Sequence, residues 1–205
     1  MTAINIFDDA ARAKAEAVKV LSKGGIALIP TDTVYGLAAR PDRPDAVLRL
    51  AEVKHRDPKK PIALLASGIE AVEARAGSPL PASAHRLAER FWPGALTMVI
   101  ACADGTTEGF RVPDHDFIRE LLADCGGLLR VTSANLSGET PAVDAADALE
   151  DAKIATDVAL DGGPCAGGVA STVIRFDADG MPVILRLGAI SKEALLEALG
   201  GTSNA

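Results

Sequence analysis

Aromatic residues make up only 3% of the 205-residue chain, with one Trp and one Tyr. That scarcity argues against a surface built to stack nucleic-acid bases, which needs several aromatic faces. Positive charge is short as well. Lys and Arg number 21 against 28 Asp and Glu, for a formal charge of −7. A protein whose whole surface grips a phosphate backbone needs the opposite balance. Cys102, Cys125 and Cys165 are widely spaced, with no Cys-x-x-Cys pair. No disulfide framework is expected, and a reducing cytoplasm suits such a chain. His55, His85 and His115 are far apart and match no zinc spacing, so no dedicated metal site is expected. No apolar run approaches a membrane span. The N-terminal MTAINIFDDAARAK lacks the apolar centre of a signal peptide. The common nucleotide signatures are missing too: there is no G-x-x-x-x-G-K-[ST], and no G-x-G-x-x-G after a strand.

What the chain does have is aliphatic bulk. Hydrophobic residues are 48% of the total, enough for one domain spanning 1–205 with its core at about 8–200. Asp8 or Asp9 caps a helix to about Lys23, where Gly24-Gly25 stops it. Ile26–Ile29 is a core strand that ends at Pro30. A helix from Pro44 or Asp45 runs to about Lys54. Ile62–Leu65 reads as a strand, and Ile69–Ala76 and Ala82–Phe91 as helices. Leu96–Cys102 is a strand, Gly105–Glu108 a loop, and Phe110–Val112 a short strand. Asp114 caps a helix over Asp116–Ala123. Leu128–Thr132 is a strand, Asp144–Asp151 a helix and Val158–Leu160 a strand. Ser171–Phe176 and Val183–Leu187 form a hairpin about the Asp177–Gly180 turn, and Lys192–Leu199 is a closing helix. Strands and helices mix without strict βαβ alternation. The expectation is an α/β fold: a single-domain, twisted, mixed β-sheet with helices packed on it.

Three places carry candidate chemistry. Thr31-Asp32-Thr33 follows a strand end, where open α/β sheets place their ligands. Lys54, Arg56, Lys59 and Lys60 concentrate positive charge within seven positions of an acidic chain, and Pro58 and Pro61 stiffen the segment. Lys supplies a point charge and Arg a bidentate fork, a pairing suited to a polyphosphate. Ser133-Ala134-Asn135 is a polar step at a strand exit. Arg111 and Arg186 each interrupt an apolar strand, where a charge needs a partner or a ligand. Trp92 reads as a packing residue. The glycine-rich Gly162–Gly168 is a connection or a lid.

Taken together, these pieces resemble the YrdC/TsaC family of threonylcarbamoyl-AMP synthases. The matching runs are PTDTVYGLA at Pro30–Ala38, KHR at Lys54–Arg56 with KP at Lys60-Pro61, and FWPGALT at Phe91–Thr97. RVPDH at Arg111–His115, TSANLSG at Thr132–Gly138, DGG at Asp161–Gly163, STV at Ser171–Val173 and LRLG at Leu185–Gly188 continue the series in family order. The length corresponds to the short, single-domain form. The resemblance implies that L-threonine, bicarbonate and ATP give threonylcarbamoyl-adenylate and pyrophosphate, with Mg²⁺ accompanying ATP. Partner proteins then pass the threonylcarbamoyl group to tRNA. It implies Lys54, Arg56, Ser133 and Asn135 as the catalytic tetrad. It places Thr33, Arg111, Ser133 and Ser171 on threonine, and Arg56, Lys60, Asn135 and Arg186 on ATP.

The sequence departs from the family at three places. Leu65 stands where some members have a histidine in contact with threonine. Val143 replaces a hydroxyl residue near the nucleotide, and Val169-Ala170 occupies the place of a glutamate found in longer members. The alternatives are an RNA-binding paralogue without synthase activity, using the Lys54–Lys60 patch on double-stranded or transfer RNA, and a carbamoyl-transfer domain acting with carbamoyl phosphate. The carbamoyl-transfer domains are usually parts of longer chains with zinc-finger cysteines.

Overall fold

A computed structural model of the protein describes residues 2–53, 61–135, 140–150 and 156–200. In chain order the elements begin with β1 (Ile4–Asn5), α1 (Ala10–Ser22), β2 (Ala27–Ile29), β3 (Gly36–Ala39), α2 (Pro44–Glu52) and β4 (Leu64–Ala66). Then come α3 (Ile69–Ala76), α4 (Ala82–Phe91), β5 (Leu96–Ala101), β6 (Thr107–Arg111), α5 (Asp116–Asp124) and β7 (Leu128–Ser133). The chain closes with α6 (Ala145–Glu150), β8 (Val158–Asp161), β9 (Thr172–Phe176), β10 (Pro182–Arg186) and α7 (Lys192–Ala198).

The strands make one sheet in the order β1-β8-β2-β3-β7-β4-β6-β5-β9-β10. It is mixed, as expected. Pairs such as β2/β8, β4/β6 and β5/β9 are parallel, whereas β2/β3, β3/β7, β5/β6 and β9/β10 are antiparallel. Local signals set the boundaries. The Asp9 carboxylate accepts the Arg12 N–H at 2.9 Å and starts α1, satisfying one of the free first-turn donors. Ala13, Ala17 and Leu21, four apart, are its buried stripe.

Alternation along the strands sorts side chains between two faces. On one face Leu28, Leu37 and Ala39 pack with α2 and α6, and Leu64, Met98, Phe110 and Ile174 pack with α3, α4 and α7. On the other face Ala27, Ile29, Ala38, Leu65 and Leu129 pack with α1 and α5. The strands beyond β4 do something different on that second face. Leu96, Met98 and Ile100 of β5 point into the core, but Thr97 and Val99 line a groove, as do Gly109 and Arg111 of β6 and Val173 of β9.

Several expectations shift. Gly36–Ala39, to which the sequence pattern assigns no element, is a fully buried strand. Its run of Gly, Leu and two Ala has little β-branched character, yet its slot between β2 and β7 decides the outcome. Strand β1 has only two residues and leaves no periodic signal. Thr107 and Glu108 belong to β6 rather than to a loop, because they pair with Ala101 and Ile100. The cap of α5 is His115, not Asp114, and its side chain makes no capping bond. The C-terminal limits at Lys54 and Asp151 lie outside the described residues.

One charged group lies within the helix-rich face. Arg130 of β7 stands laterally between Ala39 and Leu64. It grips Glu108 with two bonds, at 2.6 and 2.7 Å, and Arg75 adds a third at 3.0 Å. Burial alone would raise the Glu108 carboxyl. The hydrogen bond and charge of Arg130, then of Arg75, outweigh burial and hold it below its ordinary value near 4.5. A carboxyl depressed in the native state stabilises the fold above its unfolded value and loses that contribution as pH falls through the folded value. Resistance of the wild type to urea should therefore fall as pH drops below about 4.5, and Glu108→Gln should flatten that acid-side slope. An unchanged slope in the variant would remove Glu108 from the acid response.

Candidate functional site

The turn after β2 organises the site. Pro30 ends the ladder and residues 31–33 fold into a hydroxyl-centred turn. The Thr31 hydroxyl donates to Val34 O at 2.6 Å and accepts the Thr33 and Val34 N–H groups at 3.1 and 3.2 Å. A threonine side chain thereby does the work of a backbone turn. Both Thr31 and Thr33 are buried.

Arg111, at the end of β6, reaches this turn from across the sheet. Its Nη1 donates to Thr33 Oγ1 at 2.9 Å, its Nη2 to Asp32 Oδ1 at 2.5 Å, and its Nε to Gly94 O at 2.9 Å. The side chain is only 8% exposed, so pairing is what makes its burial tolerable. Gly94 is itself placed by its N–H bond to Val112 O, and Trp92 braces the same turn by donating Nε1–H to Leu96 O at 2.7 Å. Trp92 is thus a packing residue, as expected. An arginine has five N–H donors. Among the described residues three meet protein acceptors, which leaves two for an incoming oxyanion.

On the neighbouring strands the Thr97 and Ser171 hydroxyls meet at 2.9 Å. Arg186 Nη2 donates to Ser171 O at 2.8 Å and lies 3.3 Å from its hydroxyl. Ser133 ends β7 directly beside Gly36, and Asn135 is buried just beyond it. Thr33, Arg111, Ser133, Asn135, Ser171 and Arg186, scattered over the chain, all line one groove of ≈ 510 Å³. Pro61, Ile62, Ala63 and Leu65 form another of its walls. Lys54, Arg56 and Lys60 lie outside the described residues, and so does the expected facing of that cluster toward the hydroxyl turn. Thr97 is a groove residue that sequence reasoning missed. Its signal was a lone hydroxyl on the alternate face of an apolar strand. Val143 accepts the Cys165 N–H at 2.7 Å through its carbonyl.

A second cavity of ≈ 520 Å³ lies at the same turn, lined by Thr31, Asp32, Asp114, His115 and the loop 162–167. Burial lowers the His115 imidazole below its ordinary 6.5, which keeps it neutral at pH 7. Burial likewise raises the Cys165 thiol, which makes it a poor nucleophile. The loop is tied down. Tyr35 accepts the Gly162 N–H at 3.0 Å and donates its hydroxyl to Gly163 O at 2.8 Å. Gly168 N–H meets Thr33 O at 2.9 Å. Burial raises the Tyr35 phenol far above its ordinary value, so it keeps the proton it donates. Tyr35→Phe removes the partner of one partly buried donor and one partly buried acceptor, for a loss of about 1 kcal/mol. Hydrogen exchange at Gly162 and Gly163 should accelerate in that variant. Unchanged exchange would mean that the loop is held by its other contacts.

Among the described residues no group of three or more His, Cys, Asp and Glu side chains stands ready to hold a metal ion, and no helix is long and apolar enough to cross a membrane. Asp32, between the groove residues Thr31 and Thr33, is engaged by Arg111. What remains is a groove in which the hydroxyls of Thr33, Ser133 and Ser171 and the guanidinium groups of Arg111 and Arg186 are set among apolar residues such as Val99, Val131 and Val173.

A twisted mixed sheet, half of one face roofed by helices and half left as an open groove, defines an α/β domain. The chain belongs to the Sua5/YciO/YrdC family, whose model, described as "Telomere recombination", matches residues 19–188. Among curated proteins it is 36% identical to a threonylcarbamoyl-AMP synthase from Bacillus subtilis over 91% of this chain and 56% of that protein. It is 36% identical to a putative threonylcarbamoyl-AMP synthase from Mycobacterium leprae over 94% of this chain and 90% of that protein. The crystal structure of Pyrococcus abyssi Sua5 complexed with L-threonine superposes with a TM-score of 0.85 at 31% identity, covering 92% of this chain and 58% of that one. The chain therefore spans little more than half of two of these proteins and most of the third.

Proposed function

We propose that the protein is an L-threonylcarbamoyladenylate synthase, a nucleotidyltransferase that makes threonylcarbamoyl-AMP and pyrophosphate from L-threonine, bicarbonate and ATP. The observation that carries this reading is the convergence of Thr33, Arg111, Ser133, Asn135, Ser171 and Arg186 on one groove. The names of the B. subtilis and M. leprae relatives and the bound L-threonine of the P. abyssi structure support it.

The chemistry accounts for such a groove. The threonine ammonium loses protons as its nitrogen adds to the carbon of bicarbonate, water leaves, and a carbamate results. A carbamate oxygen then attacks the α-phosphorus of ATP, and the bond to the pyrophosphate oxygen breaks. Two anions must approach, so the catalyst has to position them and spread their charge. The two N–H groups of Arg111 that no described residue engages are suited to the amino acid's carboxylate or its carbamate. The hydroxyls of Thr33, Ser133 and Ser171 are suited to hold the rest of the threonine. Arg186 and Asn135 serve the nucleotide, with Lys54, Arg56 and Lys60 supplying further charge to its phosphates. Bound with ATP, Mg²⁺ would supply further charge neutralisation at the phosphates, a role that would need no cluster of protein carboxylates. The product goes to partner proteins that modify tRNA in the cytoplasm.

The test is pyrophosphate release from purified protein with ATP and bicarbonate, with and without L-threonine. Release that needs all three supports the reading. No release in any mixture, together with ATP-independent and salt-sensitive RNA binding, would replace it with the RNA-binding paralogue.

A further inference from the structure

Two glycines lie within the described strands, Gly36 in β3 and Gly109 in β6. Packing demands the first, since a Cβ there falls 2.7 Å from Val131 Cγ1 and 3.3 Å from Thr132 O. Gly109 has no such reason. Its φ is outside the left-handed range, and the β5/β6 ladder passes through it without a bulge. A Cβ would meet Ala63 Cβ at 3.5 Å and Thr97 Cγ2 at 3.6 Å, which are ordinary contact distances. A glycine inside a strand weakens it. Where neither backbone nor neighbour demands one, the close approach of a ligand is the remaining reason. Gly109 lines the groove.

The glycine sits in a lateral row of small and apolar residues. It pairs with Val99 of β5 and abuts Ala63 on its other side, and Ala63 O accepts the Val131 N–H at 3.0 Å. All four are partly exposed and line the groove. None carries a side chain that hydrogen-bonds. Arg111 is two residues further along β6, on the same face and about 7 Å away. The groove therefore joins a cationic row to a flat apolar strip, and at Ala63 and Gly109 that strip rises no further than a methyl group.

We propose that Gly109 is a specificity-determining residue, which keeps this strip low enough for the flat face of a purine base. This rests on the synthase reading above, which brings ATP to the groove. Among the ligands of that reaction the choice is narrow. Phosphates, bicarbonate and the charged groups of threonine would lose hydration against such a surface and find no partner on it. Threonine offers the strip one methyl group. Adenine alone offers broad, flat faces that gain by leaving water. A side chain at position 109 would stand where the ring lies.

The test compares wild type, Gly109→Ala and Gly109→Val by thermal unfolding, by ATP titration calorimetry, and by steady-state pyrophosphate release with ATP, CTP and L-threonine varied separately. The fold has room for a Cβ, and a strand accepts a β-branched residue, so both variants should unfold near the wild-type Tm. Gly109→Val should raise both the KM and the Kd for ATP about tenfold, as a change of one or two methyl groups does in an apolar pocket. Gly109→Ala should fall between it and wild type. The KM for L-threonine should stay within about twofold. CTP has the smaller base and should lose less, so the ratio of kcat/KM for ATP over CTP should fall. An unchanged Kd for ATP in Gly109→Val, or KM values for ATP and threonine that rise together, would overturn the inference. So would a reduced Tm in Gly109→Ala, which would make the glycine a packing requirement. Wild-type protein that binds ATP but releases no threonine-dependent pyrophosphate would defeat the functional reading, and the Kd comparison would then decide the inference by itself. Wild-type protein that binds no ATP would defeat both.

Discussion

Arg111→Met is expected to stop threonine-dependent pyrophosphate release and to destabilise the fold at once. The two effects have separate causes. Arg111 is the donor on which three acceptors depend: Thr33 Oγ1, Asp32 Oδ1 and Gly94 O. Removing it leaves the Asp32 carboxylate, only 14% exposed, without its cation. Breaking a buried pair from one side costs about 3–5 kcal/mol, readable in urea denaturation. On the proposed synthase reading, turnover loses a preorganised oxyanion donor, a change of about 10²–10³-fold. The double variant Arg111→Met with Asp32→Leu separates the causes. It should regain much of the stability, since a buried pair replaced by apolar groups is often near neutral, and none of the turnover. Arg111→Lys should also be poorly active, because an ammonium does not reproduce a fork that spans three acceptors. Turnover within tenfold of wild type in Arg111→Met would make Arg111 a structural residue only.

The second large effect is expected from a single methyl group. Gly188 follows β10, where the chain folds back over the start of β9. A Cβ there falls 2.1 Å from Ala170 O and 2.5 Å from the Ser171 carbonyl carbon. Both obstacles are backbone, so no side-chain rotation relieves them. Overpacking of this kind costs about 1–3 kcal/mol, occasionally more. The displaced residue is Ser171, whose hydroxyl meets Thr97 and whose carbonyl holds Arg186. A misplacement of about 1 Å in a reacting site costs on the order of 10²-fold. Gly188→Ala should therefore lower both the Tm and the rate, the rate by about a hundredfold. A variant with reduced Tm but a normal rate would show that the groove tolerates movement of Ser171.

Much of this was legible in the residues, for identifiable reasons. Helices α3 and α4 begin and end where their apolar spacing and flanking Gly and Pro say they should. The hairpin of β9 and β10 follows from its Asp–Gly turn. The charged residues in apolar strands did mark the groove: Arg111 and Arg186 are both on it. Strand β3 was not legible, because its strand character comes from neighbours distant in sequence. Thr97 was overlooked for a related reason. A threonine in Leu-Thr-Met-Val-Ile-Ala is unremarkable until the partner strands show that one face of that run is open. Asp32 was visible as part of a polar turn, but its pairing with Arg111 bridges 79 positions, and no local pattern encodes it.

The contacts that build the groove span long stretches of chain. Thr97 meets Ser171 across 74 positions, and Arg111 meets Thr33 across 78. Such loops have to close before their contacts repay the entropy. A collapsed chain with its helices formed would still have no groove. Recovery of ligand binding after dilution from denaturant therefore reports the final docking of β5 and β6 against both ends of the chain. It should lag behind the return of helical signal.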